Sequence, residues 1–281
     1  MDNFQSLAEH IAGAYARNDS VVAVMLAGSV ARGMQDHHSD IEIYVLWLEA
    51  PSDRERKDVI EALNGEIITF FDYEDEEWSD AYRVKGIKIE VSSFLTSSVS
   101  AFISKNVDQG RVDLDAQAVT ASIVDGIPLY GAEVIIGLKK KAGAYPEILR
   151  KNMIESQLEF SSRWGARNAF VERGDFFIYQ RLAWDTASRI LMMLHGLNKM
   201  YVIHPGFKWI HETIRKMEIK PRNLEERIRT AVSGQTRESV MELESLLAET
   251  GALVERHLPG ISIGEFLKEI TGTRVSDKEK S

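Results

Sequence analysis

The 281-residue chain contains no cysteine, which excludes disulfides, thiolate nucleophiles and cysteine-ligated metal centres. It also lacks the run of about 18 to 20 apolar residues that a membrane span requires. Its first residues, MDNFQSLAEH, include acids where a signal peptide carries basic residues. We therefore expect a cytoplasmic protein with no membrane partner, in which any metal is held by oxygen or imidazole ligands.

Positive charge is in deficit as well. The chain has 34 Lys and Arg residues against 43 Asp and Glu residues, a formal net charge of −9. Proteins that hold a nucleic-acid backbone usually show a basic surplus, because Lys and Arg release counterions from phosphates. Nucleic acid is therefore not the expected partner, and the acidic balance fits a small cationic substrate better.

Strand patterns occupy the first part of the chain, and helical periodicity dominates from about residue 95 onward. The strand segments are VVAVMLA (21–27), IEIYVLW (41–47), EIITFFD (66–72) and GIKIEVSSF (86–94). The predicted helices are residues 4–15, a helix begun by a Ser52/Glu55 capping box, a long helix from Pro146 to about Gly174, and segments around 175–196, 222–233 and 236–257. We predict an α/β (α+β) fold, with a mixed-sheet domain at 1–125 and a helical bundle domain at 126–281.

A glycine-serine turn ends the first strand. Gly28 lets the backbone approach a phosphate closely, and Ser29 offers a hydroxyl and an amide to it. The stretch is neither a Walker sequence nor G-x-G-x-x-G, so it supports neither a P-loop nor a Rossmann site. It predicts a niche of phosphate size.

Three acidic residues follow the turn. Asp40 and Glu42 are two residues apart at the start of the second strand, so their side chains share a face and repel each other unless a cation lies between them. Glu90 lies on the outward face of a later strand. Because Mg²⁺ prefers carboxylate oxygens and substrate phosphates, we predict that Asp40, Glu42 and Glu90 bind Mg²⁺. The alternative is that all three are ordinary solvated strand residues.

The segments GSVARG (28–33), SDIEIYV (39–45) and IKIEV (87–91) resemble the nucleotidyltransferase superfamily that includes DNA polymerase beta. More narrowly, they resemble the kanamycin-type (4′) aminoglycoside nucleotidyltransferases, which also use Asp-x-Glu. The resemblance covers residues 20–47 and 86–94. It implies ATP or another nucleoside triphosphate as co-substrate, with Gly28 and Ser29 at its phosphates. Arg32 either braces this loop or reaches a phosphate.

A second segment, ESQLEFSSRWGARN (155–168), places Glu155, Glu159 and Arg163 at i, i+4 and i+8 of the long predicted helix. Spacing alone favours a surface salt-bridge ladder. In the kanamycin-type enzymes, a segment of the form E-aromatic-x-x-basic-W supplies the catalytic base and a cation for the nucleotide phosphates. EFSSRW is similar to that form, which implies Glu159 as the base and Arg163 as a phosphate contact. The resemblance also implies a homodimer, with Glu159 acting within one chain or across the two.

Together these features predict an Mg²⁺-dependent nucleotidyltransferase that moves a nucleoside monophosphate to a hydroxyl. The favoured group is AMP, transferred from ATP. The resemblance implies a small hydroxylated acceptor of the aminoglycoside kind, and the acidic balance agrees with a cation. Two alternatives stay open: an enzyme that adenylylates a protein side chain, and a nucleotide-binding regulatory module without turnover.

Overall fold

The computed structural model describes residues 2–161 and 163–272, which form two compact units. The first, here called the sheet unit, contains the chain up to Gln109 together with Asp113–Ala144. The second, the helical unit, contains Gly110–Val112 and the chain from Tyr145 onward. No helix within the described ranges is long and apolar enough to cross a membrane.

A mixed sheet is the centre of the first unit. Its described strands are β1 (Val21–Ala27), β2 (Ile41–Trp47), β3 (Glu66–Phe70), β4 (Trp78–Val84), β5 (Ile87–Leu95) and β6 (Ile127–Tyr130). They are ordered β3-β4-β5-β2-β1-β6. β2 and β5 pair in parallel, and the other neighbours pair antiparallel. The parallel pair brings residues that are far apart in sequence side by side.

Helices cover both faces of this sheet. They are α1 (Asp2–Tyr15), α2 (Gly28–Ala31), α3 (Asp53–Ala62), α4 (Thr96–Val107), α5 (Leu114–Asp125) and α6 (Ala132–Ala142). One core contains Ile41 and Ile43 of β2 with residues of α1 and α3, and the other contains Leu46 and Phe94 with residues of α4, α5 and α6. The alternation of side chains along the strands thus separates two cores. The α/β (α+β) class is confirmed.

The capping box that begins α3 is also confirmed. The Ser52 hydroxyl accepts a hydrogen bond from the Glu55 backbone N–H, and the Glu55 carboxylate accepts one from the Ser52 N–H at 2.8 Å. Both donors would otherwise lack an intrahelical partner. The cap fixes where this helix begins beside the sheet.

The second unit contains helices and no strand among its described residues. Its helices are α7 (Glu147–Glu155), α8 (Arg167–Arg173), α9 (Phe176–Leu197), α10 (Ile210–Lys216), α11 (Leu224–Ser233), α12 (Arg237–His257) and α13 (Gly264–Thr271), with a short 3-10 turn at Trp164–Ala166. Side chains from α9, α11, α12 and α13 share one buried core. The predicted helices around 175–196, 222–233 and 236–257 are therefore confirmed.

The predicted long helix from Pro146 to Gly174 is wrong. It is interrupted after Glu155, and the described residues up to Arg163 are not helical. Phe160 stacks on Phe266 of α13 at 5.1 Å between ring centroids and on Trp164 at 5.2 Å. Tertiary packing of these rings outweighs the helix propensity of the segment. The ladder of Glu155, Glu159 and Arg163 on one helix face consequently does not form.

The division between the units also differs from the predicted boundary at 125/126. β6 pairs with β1 at the edge of the sheet, and Ile135 and Leu138 of α6 belong to a core of the sheet unit. Residues 127–142 therefore complete the sheet unit, which extends to Ala144.

Candidate active site

The Gly-Ser turn and the start of β2 are in direct contact at the end of β1. Ala27 and Glu42 are register partners on the two antiparallel strands. Gly28 has a φ of +64°, and a Cβ added there would lie 2.2 Å from Cδ of Glu42. Any side chain at this position would therefore displace the Glu42 carboxylate as well as strain the backbone. Ser29 follows, buried at 7% exposure.

Four charged residues lie together at the adjoining strand starts, and we name Asp40, Glu42, Lys88 and Glu90 the acidic edge. Glu42 and Glu90 are register partners on the parallel strands β2 and β5. Asp40 precedes β2 by one residue, and Lys88 lies two residues before Glu90 on the same face of β5. Strand pairing thus places Asp40, Glu42 and Glu90 on one face of the sheet.

Lys88 is the residue of this edge that sequence reasoning missed. Its ammonium lies 3.4 Å from Oδ2 of Asp40 and donates a hydrogen bond to the Glu90 carboxylate. The hydrogen bond to Glu90 is the main reason why the pKa of Lys88 is raised, so the side chain stays charged at neutral pH. Its position two residues from Glu90 on an outward strand face was the available indication.

The acidic edge offers oxygen ligands suited to Mg²⁺, but the three predicted ligands are not assembled around one point. Among residues 2–161 and 163–272, no three Asp, Glu or His side chains form a group that could hold a metal ion. Lys88 engages both Asp40 and Glu90. Mg²⁺ is commonly held by one or two carboxylates together with substrate phosphates and water. The Asp40 and Glu42 pair beside the Gly-Ser turn fits that mode of binding.

Arg32 anchors the turn to α5. Its Nε donates to Oδ2 of Asp125 at 2.8 Å, its Nη2 donates to the Ser122 hydroxyl at 3.4 Å, and the side chain is 8% exposed. Tyr44 also bonds to Ser122, and burial raises the pKa of this tyrosine to about 12. The guanidinium of Arg32 therefore acts in this structure as a brace between the turn and α5.

A cavity of about 460 Å³ opens on the same sheet face, farther along β5. Phe94 and Phe102 form part of its wall, and its polar lining is Asp75, Glu76, Glu77, Asp113, Asp115 and Lys105. Burial raises the pKa of Glu77, while hydrogen bonds with Ser92 and Ser79 oppose that shift. The acidic run FDYEDEEW (71–78) thus supplies part of the lining of a cavity in the sheet unit.

The other two predicted site residues belong to the helical unit. Glu159 and Arg163 are both exposed, on the non-helical segment that follows α7. Trp164, which follows Arg163, has a structural role. Its indole N–H donates to the Glu269 and Ile270 carbonyls at 3.1 Å. Arg167 donates to the carbonyls of Ile270 and Gly272 at 2.9 and 2.7 Å. These bonds hold the end of α13.

Comparison with known proteins gives one family model and several remote structural likenesses. A domain of unknown function (DUF4037) matches residues 114–210, less than half of the chain. No curated protein matches the chain.

The structural likenesses include a nucleotidyltransferase-like protein from Exiguobacterium sibiricum, at 13% identity, with 97% of this chain and 81% of that chain covered and a TM-score of 0.45. A CCA-adding enzyme in complex with ATP has 11% identity, coverage of 100% and 81%, and a TM-score of 0.29. The Thermotoga maritima CCA-adding enzyme complexed with tRNA has 12% identity, the same coverage and a TM-score of 0.25. Likeness at this level does not define an activity for the chain.

Proposed function

We propose that the chain is a nucleotidyltransferase that moves a nucleoside monophosphate to a hydroxyl of a small molecule. The favoured group is AMP, transferred from ATP. The observation that carries the proposal is the contact between Gly28 and the Glu42 carboxylate. It joins a turn suited to phosphate with an acid pair suited to a divalent ion. Neither element alone would distinguish this chemistry from a solvated strand end.

The roles within the sheet unit follow from this contact. The Gly28 backbone and the Ser29 amide and hydroxyl would bind the β- and γ-phosphates of the nucleotide. Asp40 and Glu42 would hold Mg²⁺, which neutralises phosphate charge and activates the α-phosphorus when it is bound. Arg32 keeps the turn in place through Asp125.

The transfer is an in-line displacement. The acceptor oxygen forms a bond to the α-phosphorus while the bond from that phosphorus to the bridging oxygen breaks, and pyrophosphate leaves with the bonding pair. The acceptor proton passes to a base, for which we propose Glu159, with Arg163 as a phosphate contact. These two assignments rest on the resemblance of EFSSRW to the family segment. Positioning and charge neutralisation provide most of the acceleration.

The cavity on the sheet face supports a cationic acceptor. From Glu90 to Phe94 the strand rises by about 13 Å, so the cavity lies within the reach of a small multi-ring molecule from the acidic edge. Five carboxylates and one lysine line it, beside two aromatic rings. Such a lining favours ammonium groups carried on an apolar or sugar framework. An aminoglycoside has this chemistry.

The test is incubation of the protein with α-labelled ATP and Mg²⁺ against aminoglycosides, other hydroxylated small molecules and a cell lysate. The label and pyrophosphate are followed with and without EDTA. Asp40→Asn should lower transfer by at least about a hundredfold, because it removes a charge that holds the ion. Asp58→Asn, which alters an exposed acid of α3, is the matched control and should retain activity.

Each outcome separates the alternatives. Label on an aminoglycoside that depends on Asp40 supports the whole proposal, and label only on lysate proteins favours protein adenylylation. Nucleotide binding that needs no Mg²⁺ and gives no transfer to any acceptor would favour a regulatory module. Near wild-type turnover of Asp40→Asn would contradict the mechanism.

A further inference from the structure

We propose that the ammonium of Lys88 takes the place of a second metal cation at the acidic edge, so that the site binds one divalent ion with its nucleotide. This inference rests on the proposed nucleotidyl transfer. It assigns a positioning role to a residue outside the predicted site. The juxtaposition that carries it is one lysine between the carboxylate of Glu90 in β5 and that of Asp40, the residue before β2.

The contacts of Lys88 are those of a counter-cation. Its Nζ lies 3.4 Å from Oδ2 of Asp40 and is hydrogen-bonded to the Glu90 carboxylate. Because Lys88 and Glu90 point to the same face of β5, and β5 pairs in parallel with β2, the ammonium lies between the two strands. A metal ion shared by Asp40 and Glu90 would have to occupy the same position.

The places that remain for a metal ion lead to the same conclusion. Lys88 engages both Asp40 and Glu90, whereas Glu42 lies beside the Gly-Ser turn. A single divalent ion held through Asp40 and Glu42 would therefore leave the Lys88 contacts in place. With Lys88 removed, Glu90 would become available as an additional oxygen ligand, and the loss of one positive charge would strengthen the attraction for a cation.

A purely structural ion pair would behave differently. The side chains of Lys88 and Glu90 are 40% and 45% exposed, and exposed pairs contribute little to stability. If the ion pair of Lys88 had no role at the metal site, replacement of Lys88 would leave metal binding unchanged. The number and affinity of bound ions therefore distinguish the two roles independently of turnover.

The experiment uses Mn²⁺ as the probe, together with α,β-methylene ATP, in which the bond that breaks during transfer is blocked. Bound Mn²⁺ per chain is measured by electron paramagnetic resonance and calorimetry for the wild type, Lys88→Met, Lys88→Arg and Lys141→Met. Lys141 is the matched control, because its side chain is 41% exposed and pairs with Asp108 at 3.6 Å in the same unit. Circular dichroism and thermal melting check that every variant is folded.

We expect one nucleotide-dependent Mn²⁺ in the wild type, in Lys88→Arg and in Lys141→Met. Lys88→Met should bind a second ion or bind Mn²⁺ about tenfold more tightly, since one positive charge beside the ligands is lost. Two ions in the wild type, or unchanged stoichiometry and affinity in Lys88→Met, would overturn the inference. Mn²⁺ binding by the Asp40→Asn variant separates failure of this inference from failure of the proposed function. If Asp40→Asn binds less Mn²⁺ than the wild type, the proposed metal site is supported. If the two bind Mn²⁺ equally, both proposals are overturned.

Discussion

The two segments that resemble the nucleotidyltransferases differ in what fixes their residues. In the sheet unit, strand pairing places Glu42 beside both Ala27 and Glu90, so the acidic edge follows from hydrogen-bonded register. In the helical unit, Phe160 and Trp164 belong to packed or hydrogen-bonded structure, while Glu159 is exposed on an irregular segment. The first segment is thus positioned by strand register, whereas the aromatic residues of the second are accounted for by packing and hydrogen bonds.

This difference indicates how far each segment supports the proposed chemistry. Contacts in the sheet unit relate several polar residues to one another, and those residues have no need to be together for the stability of the core. In the helical unit the two aromatic residues of the motif, Phe160 and Trp164, have structural roles of their own.

The largest expected effect concerns Glu159, and it would show that the irregular segment also has a catalytic role. Glu159→Gln should lower transfer by about a hundredfold or more, because removal of a general base commonly costs about 10² to 10⁴ in rate. Glu155→Gln is the matched control, since Glu155 is also an exposed glutamate four residues earlier. Steady-state rates with labelled ATP measure both variants. Equal activity of the two would remove Glu159 from the mechanism.

The same variant tests whether two chains cooperate. A mixture of Asp40→Asn with Glu159→Gln should regain activity only if Glu159 acts across a homodimer, because one site would then contain both native residues. No recovery, together with a monomeric mass in sedimentation, would mean that Glu159 acts within its own chain.

A second variant pair sharpens the role of the turn in the sheet unit. Gly28→Ala should lower transfer by about a hundredfold, because its Cβ would meet the Glu42 carboxylate and displace it from its position. Gly33→Ala provides the control for backbone strain alone, since Gly33 has a similar φ of +67° and nothing within 4 Å of an added Cβ. Kinetics and thermal melting on both variants separate the two effects. Similar losses of activity in the two would show that backbone strain, and not contact with Glu42, is responsible.

Local patterns predicted the parts of the fold that depend on neighbouring residues, and missed those that depend on distant partners. β1 and β2 have the predicted bounds. β4 was missed because Asp80 interrupts its apolar pattern, and this buried side chain is paired with Arg56 at 2.8 Å. β6 was missed because it is short and contains Pro128, which is tolerated at the edge of a sheet.

The candidate site divides in the same way. The turn at Gly28 and the acid pair could be identified from residue type and spacing, because a strand has a fixed period of two. The bridge from Lys88 to Asp40 required knowledge that β5 pairs with β2 in parallel. The cavity required the meeting of acids from two segments about 40 residues apart along the chain, which no local pattern encodes.

The smallest expected effect concerns a titratable group that, unlike the acidic edge, is closed off from solvent. Burial lowers the pKa of His195 in α9 to about 4, below the ordinary value of 6.5, and its Nδ1 is bonded to the Leu191 carbonyl at 2.7 Å. Between these two pKa values the unfolded chain binds a proton that the folded chain does not, so stability falls as pH is lowered through this window. From pH 7.5 to 5.5 the free energy of unfolding should fall by about 1 kcal/mol.

Denaturant unfolding at both pH values should show a smaller fall in this free energy for His195→Gln than for the wild type. His257→Gln, which alters an exposed histidine of the helical unit, should retain the wild-type dependence. An identical pH dependence in His195→Gln and the wild type would show that acid sensitivity arises elsewhere in the chain.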